Sequence, residues 1–407
     1  MSLYLISPKT NLLQSFPALS ARKITAAERT KQLQEVAQAW QEDPTYQEIQ
    51  SWIEDAGDFE IKKITSPLIS SNLTGTILVE MPDEEAVRLE EDIDNILILK
   101  DRAIDLIRPI RDIATAKEQL TASDIWHLAA IKHNPHNLSE QTGKGIKIAV
   151  FDTGIDPNHP EIRGKITEAY EFNNRQKTIE EVDLEDYADT DDEDGHGTHV
   201  TGLICGNNVG VAPEAEIVSI TMFPNGRGSL IDLSIALQWL SSHPEVRIVN
   251  ISAGLSEPRY LKTMSDITDL LLAFGILPIC AVGNEGRNNS CSPGNCSGVV
   301  SVGATNKHEQ VAGFSGSASM IIDNTIYNVP SLVAPGAAIY SSIPGGGYKT
   351  LSGTSMATPI VSGIAALILE ANPLISAYDL REELLRSCQL LKELPERQGK
   401  GIIQVRA

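Results

Sequence analysis

From Gly143 onward, short and nearly continuous apolar runs rich in β-branched residues recur along the chain: "IKIAVF", "EIVSITMF", "VRIVNIS", "GILPICAV" and "GVVSVGA". Segments with helical spacing, such as "SLIDLSIALQWLSS", lie between them. Strands buried on both faces and alternating with helices predict an α/β domain built on a parallel sheet. In such sheets, ligands and catalytic groups gather beyond the carboxyl ends of the strands. Farther along, "LSGTSMATPIVSGIAALILEANP" sets Ile360, Ile364, Leu367 and Ile368 on one helix face, with Asn372-Pro373 as its stop. Ala357, Ser362, Gly363, Ala365 and Ala366 are small enough to let that helix run close to other backbone.

The first 105 residues follow a different pattern. "LYLISP" predicts a strand, and a long helical region follows it. There, Thr25-Ala26-Ala27-Glu28 and Thr45-Tyr46-Gln47-Glu48 both have capping-box form. Leu33, Val36 and Trp40 mark one buried face, and Ile49 with Trp52 or Ile53 another. "FEIKKI" and "TGTILVEM" predict strands, "DEEAVRLEED" a short helix and "NILILK" a last strand. The order β-α-β-β-α-β predicts a small α+β unit of ferredoxin-like form over 1–105. Residues 106–125 read as a linker and 126–407 as the α/β domain.

Charge and composition narrow the function classes. A formal charge of −21 over 407 residues argues against nucleic acid and anionic membranes as partners. The N-terminus lacks the basic, apolar and small-residue regions of a secretory signal, and no apolar run approaches the ~20 residues of a membrane span. A cytoplasmic protein is the expectation. Five cysteines in a chain of this length do not make a disulfide framework. All five read as thiols, although Cys291 and Cys296 flank a four-residue loop and can pair if oxidised.

Four polar residues sit where chemistry would be placed. Asp152 ends the first strand of the α/β pattern, where it is either a turn former or a rigidly held carboxylate. His196 lies between Gly195 and Gly197 at the start of a helix, either as a loop histidine or as a base. A His196/His199 metal pair is a weak zinc signal without cysteine or an H-E-x-x-H pattern. Asn284 follows Gly283 after a strand, as a turn residue or as an amide facing an oxyanion. Ser355 is either an N-cap or a nucleophile held where backbone N–H groups favour negative charge. The first strand is followed by "FDTGIDPNHP", with no G-x-G-x-x-G, which removes a dinucleotide-binding domain.

Taken together, these residues resemble the subtilisin-like serine proteases. The three signatures are "VFDTGID", "HGTHVTG" and "GTSMATPIVSG", in the order Asp, His, Ser, and the resemblance spans about 120–407. It implies a serine endopeptidase with Asp152, His196 and Ser355 as triad and Asn284 as oxyanion donor, needing no cofactor for its chemistry. It further implies an S1 pocket walled by Ser252-Ala253-Gly254 on one side and by Ala281-Val282-Gly283-Asn284 on the other. Gly226-Arg227-Gly228 would be the edge strand that pairs with an extended peptide or protein substrate. Glu285 at the mouth would favour a basic P1 side chain. The N-terminal unit resembles the family's inhibitory propeptide, which implies a self-inhibited precursor processed somewhere in 100–125, with the prodomain as partner. A permanent, uncleaved accessory domain is the alternative there. A specialised precursor-processing protease, a macrocyclase and a non-catalytic scaffold are the rival functions.

The chain also departs from the family pattern. Between His196 and "GVAP" it lacks the longer excursion that supplies calcium ligands in secreted subtilisins. Residues 180–194, "EEVDLEDYADTDDED", hold ten carboxylates and no basic residue. They read either as a flexible acidic surface loop or as an oxygen-rich calcium site, with Asp189, Asp191, Asp192 and Asp194 as the candidate ligands.

Overall fold

The computed structural model describes residues 1–9, 26–56, 61–64, 73–114, 121–133, 141–187, 192, 195–256, 260–322 and 325–406. Parts of the expected linker and part of the acidic stretch, including Asp189, Asp191 and Asp194, lie outside them.

The α/β domain is organised by a sheet of ten strands. Its parallel body runs in the order Ile402–Ile403, Leu332–Pro335, Val300–Thr305, Leu277–Ala281, Val246–Ile251, Lys147–Asp152, Glu216–Thr221 and Ile166–Asn173. Antiparallel strands close both edges, Cys388–Gln389 at one and Thr178–Val182 at the other. The predicted runs become central strands because their alternate side chains enter two different apolar layers. On the Lys147–Asp152 strand, Ile148 and Val150 join the layer that holds the helices His196–Cys205 and Thr354–Ala371. Ala149 and Phe151 join the opposite layer, with the helices Leu230–Leu240 and Lys262–Ala273.

The predicted 351–373 helix spans Thr354–Ala371, with Gly353 before it and Asn372 after it. Ile360 and Ile364 are buried, and a Cβ on Gly363 would come 2.6 Å from that of Val211. By length and composition this helix could cross a membrane, yet 83% of it is buried inside the fold.

The N-terminal unit has a four-stranded antiparallel sheet in the order Lys62–Lys63, Ile77–Met81, Ser2–Pro8, Ile96–Lys100. Helices Ala26–Glu42, Pro44–Asp55 and Asp83–Asp92 accompany it. The second of these starts one residue before the expected capping box. Asp43, not Thr45, is its cap, accepting from the Tyr46 N–H at 2.9 Å, with Pro44 in the first turn where its missing N–H costs nothing. The strand period of two divides the sheet's contacts. Tyr4, Ile6, Ile77 and Val79 pack with Ile49, Ile53 and Leu89 of its helices. Leu5, Leu78 and Leu99 join the apolar layer of the α/β domain. Helix Ala26–Glu42 reaches the same domain by another route, with Val36 and Trp40 packed beside Leu270, Ala273 and Phe274.

Candidate active site

Asp152, His196 and Ser355 come from three elements and are all buried. Asp152 closes its strand, and its Oδ1 lies 2.8 Å from His196 Nδ1. The Thr153 N–H also donates to Asp152 Oδ1, at 2.8 Å. His196 opens its helix, which packs so tightly on the turn after Asp152 that a Cβ on Gly197 would lie 1.9 Å from the Gly154 carbonyl oxygen. A one-turn neighbour, His199, is fully buried, with Nε2 3.1 Å from the Lys349 carbonyl. Burial, and then the neighbouring His196, push its pKa down to about 3, so it stays neutral. His199 is bound to backbone and serves the packing. Among the described residues no cluster of three His, Cys, Asp or Glu side chains is arranged to hold a metal.

Ser355 is the second residue of its helix, and the capping position belongs to Gly353. The cap reading of Ser355 therefore falls. The proline four residues on has a function too. Pro359 has no N–H to offer the Ser355 carbonyl, and Ser252 Oγ donates to that oxygen instead, at 3.3 Å. Asn284 is oriented by its own oxygen. Its Oδ1 accepts from the Thr354 N–H at 2.9 Å and from Thr354 Oγ1 at 3.0 Å, which turns Nδ2 into the cleft. A Cβ on Gly353 would stand 3.1 Å from that Nδ2 and 3.7 Å from Pro109 Cα, so glycine keeps the passage open.

The passage is filled by the chain itself. Strand Ala103–Leu106 lies antiparallel between Arg227–Ser229 and Ala253–Ser256. Asp105 faces Arg227 on one side and Gly254 on the other, Ile104 faces Gly228, and Leu106 faces Ala253. The Ile107 N–H then donates to the Ser252 carbonyl at 3.0 Å, and the Ile110 N–H to the Ser352 carbonyl at 2.7 Å. Beyond the serine, Arg111–Ala114 pairs antiparallel with Gly347–Ser352. Ser355 Oγ donates to the Ile107 carbonyl at 2.5 Å, and Asn284 Nδ2 to the Arg108 carbonyl at 3.0 Å. The Ile107 side chain is buried with Ala281 and Cys291.

The remaining candidates fall around this strand. Gly226 ends the 3₁₀ turn before Arg227–Ser229. Gly283 has φ +111°. Glu285 Oε2 lies 3.5 Å from Cys291 Sγ. Burial, and then Glu285, raise the pKa of that thiol. All five cysteines are free. Asp192 is turned inward and accepts hydrogen bonds from Thr153, Gly195 and Thr198. Where the longer excursion is missing, the buried Glu161 carboxylate accepts from Asn208 N at 2.7 Å, Asn208 Nδ2 at 2.9 Å and Tyr348 Oη at 2.8 Å. Features that sequence reading missed include Thr354 as the residue that orients Asn284, then Ser252 Oγ on the freed carbonyl and the Glu161 cluster. Only the first had a signal, the threonine that directly precedes Ser355.

A buried Asp–His pair, together with a buried serine at a helix start that donates to an extended peptide strand, points to the class of serine hydrolases that act on polypeptide. The subtilase family profile matches residues 143–401, and the chain belongs to that family of serine proteases. It is 31% identical over 313 residues to an intracellular serine protease of Paenibacillus polymyxa, covering 73% of this chain and 87% of that one. Against subtilisin E of Bacillus subtilis (strain 168) the identity is 29% over 326 residues, covering 76% and 78%. The crystal structure of a cold adapted subtilisin-like serine proteinase matches with a TM-score of 0.56 at 28% identity, over 69% of this chain and 98% of that one.

Proposed function

We propose that the chain is a self-inhibited endopeptidase precursor in which Ser355 is the nucleophile, His196 its base and Asp152 the residue that orients and stabilises the imidazole. His196 takes the Ser355 proton as Oγ attacks the carbonyl carbon and returns it to the leaving amine. Asn284 Nδ2 and the Ser355 N–H receive the oxyanion. A protein or peptide substrate takes the place now held by Ala103–Leu106, bound through main chain between Arg227–Ser229 and Ala253–Ser256. The N-terminal unit, with the strand order of a ferredoxin-like fold, serves as the inhibitory prodomain.

The observation that carries this reading is the strand itself, because residues 103–114 occupy the cleft on both sides of Ser355. Intact mass against time for the purified chain and its Ser355→Ala variant tests it. Loss of about a quarter of the chain in the wild type alone, by bond breakage at a position in 100–125, is the expected result. A wild type that stays whole while it cuts peptides turns the N-terminal unit into a permanent accessory domain.

Two finer points follow the same geometry. With Ile107 seated against Ala281 and Cys291, the S1 pocket prefers an aliphatic P1 residue, in place of the basic one expected from Glu285. Asp192 has both carboxylate oxygens occupied by donors and does not fit a calcium ligand. A calcium site in the acidic stretch would rest on Asp189, Asp191 and Asp194. Melting temperature and activity with and without a chelator test that, and no change in either removes it. We place the protein in the cytoplasm.

A further inference from the structure

Asp192 belongs by sequence to the acidic run, yet its side chain is 2% exposed. Its Oδ1 accepts from Thr153 Oγ1 at 2.6 Å and from the Gly195 N–H at 3.0 Å. Its Oδ2 accepts from the Thr198 N–H at 2.8 Å and from Thr198 Oγ1 at 2.7 Å. The two sets of donors belong to two elements. Thr153 is the residue after Asp152. Gly195 and Thr198 bracket the first turn of the His196 helix.

The same two hydroxyls link those elements a second time. Thr153 Oγ1 accepts from the Gly197 N–H at 3.0 Å, and Thr198 Oγ1 from the Asp156 N–H at 2.9 Å. A hydroxyl has one proton. Thr153 spends it on Asp192 at 2.6 Å, the nearer acceptor, since its Oγ1 stands 3.3 Å from Asp152 Oδ1. The Asp192 carboxylate thereby fixes the rotamer of Thr153, whose N–H supports Asp152, and it also holds the helix end that carries His196. A carboxylate satisfied by four donors in the interior is strongly directional.

We propose that Asp192 is a positioning residue of the proteolytic reaction, a buried clamp that sets the Asp152–His196 geometry by tying the turn after Asp152 to the first turn of the His196 helix. It touches no reacting atom. Its effect therefore falls on the chemical step, with little effect on substrate binding.

The inference rests on the triad reading, and the test separates the two. Peptide hydrolysis by the full chain, normalised to sites titrated with a serine-directed fluorophosphonate, is compared across Asp192→Asn, Thr153→Val and Thr153→Ser, and with Ser355→Ala normalised to protein concentration. Asp192→Asn puts an N–H where an acceptor is needed. Its kcat is expected to fall by about 10²-fold, the scale of an ångström-level misplacement, with KM within about threefold. The far-downfield proton of the His196–Asp152 hydrogen bond should shift or broaden. Thr153→Val should reproduce the loss and Thr153→Ser, which keeps the hydroxyl, should recover most of it. The double variant Asp192→Asn/Thr153→Val should be no worse than either single one, because both cut the same link.

A lower melting temperature with unchanged kcat and an unmoved downfield proton would make Asp192 purely structural and overturn the proposal. Should Asp192→Asn fail to fold, Thr153→Val decides alone, and normal kcat in that variant overturns the proposal. Turnover surviving in Ser355→Ala would instead sink the triad reading itself.

Discussion

Ser355 Oγ and Asn284 Nδ2 address successive peptide units, the first donating to the Ile107 carbonyl at 2.5 Å and the second to the Arg108 carbonyl at 3.0 Å. Productive attack requires the oxyanion donor on the carbonyl that the serine attacks. On the roles proposed for Ser355 and Asn284, the bound strand is out of step with the machinery by one residue, as an inhibitor would be.

The first prediction concerns what keeps it out of step. Pro109 fixes its own φ near −65° and confines Arg108 to extended conformations, which holds the Arg108 carbonyl on Asn284. Pro109→Ala should free the segment to shift and let the Ile107 carbonyl reach the oxyanion donors. Self-cleavage between Ile107 and Arg108 should then speed up by about tenfold or more, equivalent to ~1.4 kcal/mol of barrier. Intact mass over time reads this directly. An unchanged rate and cleavage site would show that the proline does not set the register.

A second prediction follows from the orientation of Asn284. Because Thr354 occupies Oδ1, only Nδ2 is available to the cleft, and Asn284→Ala removes one donor without disturbing the Asp152–His196 pair. The expected cost is about 10²–10³ in kcat, a magnitude established on subtilisin rather than on this chain, with KM much less affected. Steady-state kinetics on a peptide substrate checks it. A loss confined to KM would assign Asn284 to ground-state binding.

Much of this site was legible because it is built from local patterns. Asp152, His196, Asn284 and Ser355 each sit at a strand end or helix start that hydrophobic spacing alone locates. What stayed hidden depends on pairing between distant segments. Ile104 and Leu106 are too short an alternation to announce a strand, and Ala103–Leu106 becomes one only because Arg227–Ser229 and Ala253–Ser256 flank it. Asp192 is indistinguishable in sequence from the rest of the acidic run, since its inward orientation comes from Thr153, in the turn after Asp152, and from Thr198, in the helix that follows the run. Glu161 is hidden for the same reason, its partners Asn208 and Tyr348 lying far along the chain. The expected cap at Thr45 gives way to Asp43 because Asp43 followed by proline competes for the same helix start and satisfies it two residues earlier.

Trp40 carries the third prediction. Its indole is 3% exposed, donates Nε1–H to the Leu73 carbonyl at 3.1 Å, and packs with Val36 beside Leu270 and Phe274 of the other domain. A Cβ on Gly75 would fall 2.5 Å from the indole ring, so the ring rests on bare backbone. Truncating a buried aromatic of this kind costs ~3–5 kcal/mol, here divided between the N-terminal unit and its docking. Trp40→Ala should lower the melting temperature and raise basal peptidase activity of the intact chain. Loss of stability with no rise in activity would mean that this helix does not help hold the cleft closed.

Acid-side stability gives the last prediction. Asp266 and Asp269 lie on one face of the Lys262–Ala273 helix. Lys262 Nζ reaches both oxygens of Asp266, at 2.7 and 2.9 Å. Burial, and then the charge on Asp266, push Asp269 up to about 6, with Lys262 and Arg381 offsetting part of the shift. A carboxyl whose pKa is raised on folding binds its proton more tightly in the native state. Native protein then holds more protons than unfolded protein between about pH 4 and 6, and stability falls as pH rises through that window. Asp269→Asn should leave stability unchanged at pH 4 and raise it at pH 8 by roughly 1–3 kcal/mol, the upper figure corresponding to about two pKa units. Asp232 supplies the contrast. It too is raised to about 6 by burial, but its Oδ1 lies 2.6 Å from Lys177 Nζ. Asp232→Asn would leave that ammonium facing a neutral amide and should destabilise the protein at pH 8. Denaturant midpoints of both variants at the two pH values decide the matter, and a gain for Asp269→Asn that is equal at pH 4 and pH 8 would rule out its charge as the cause.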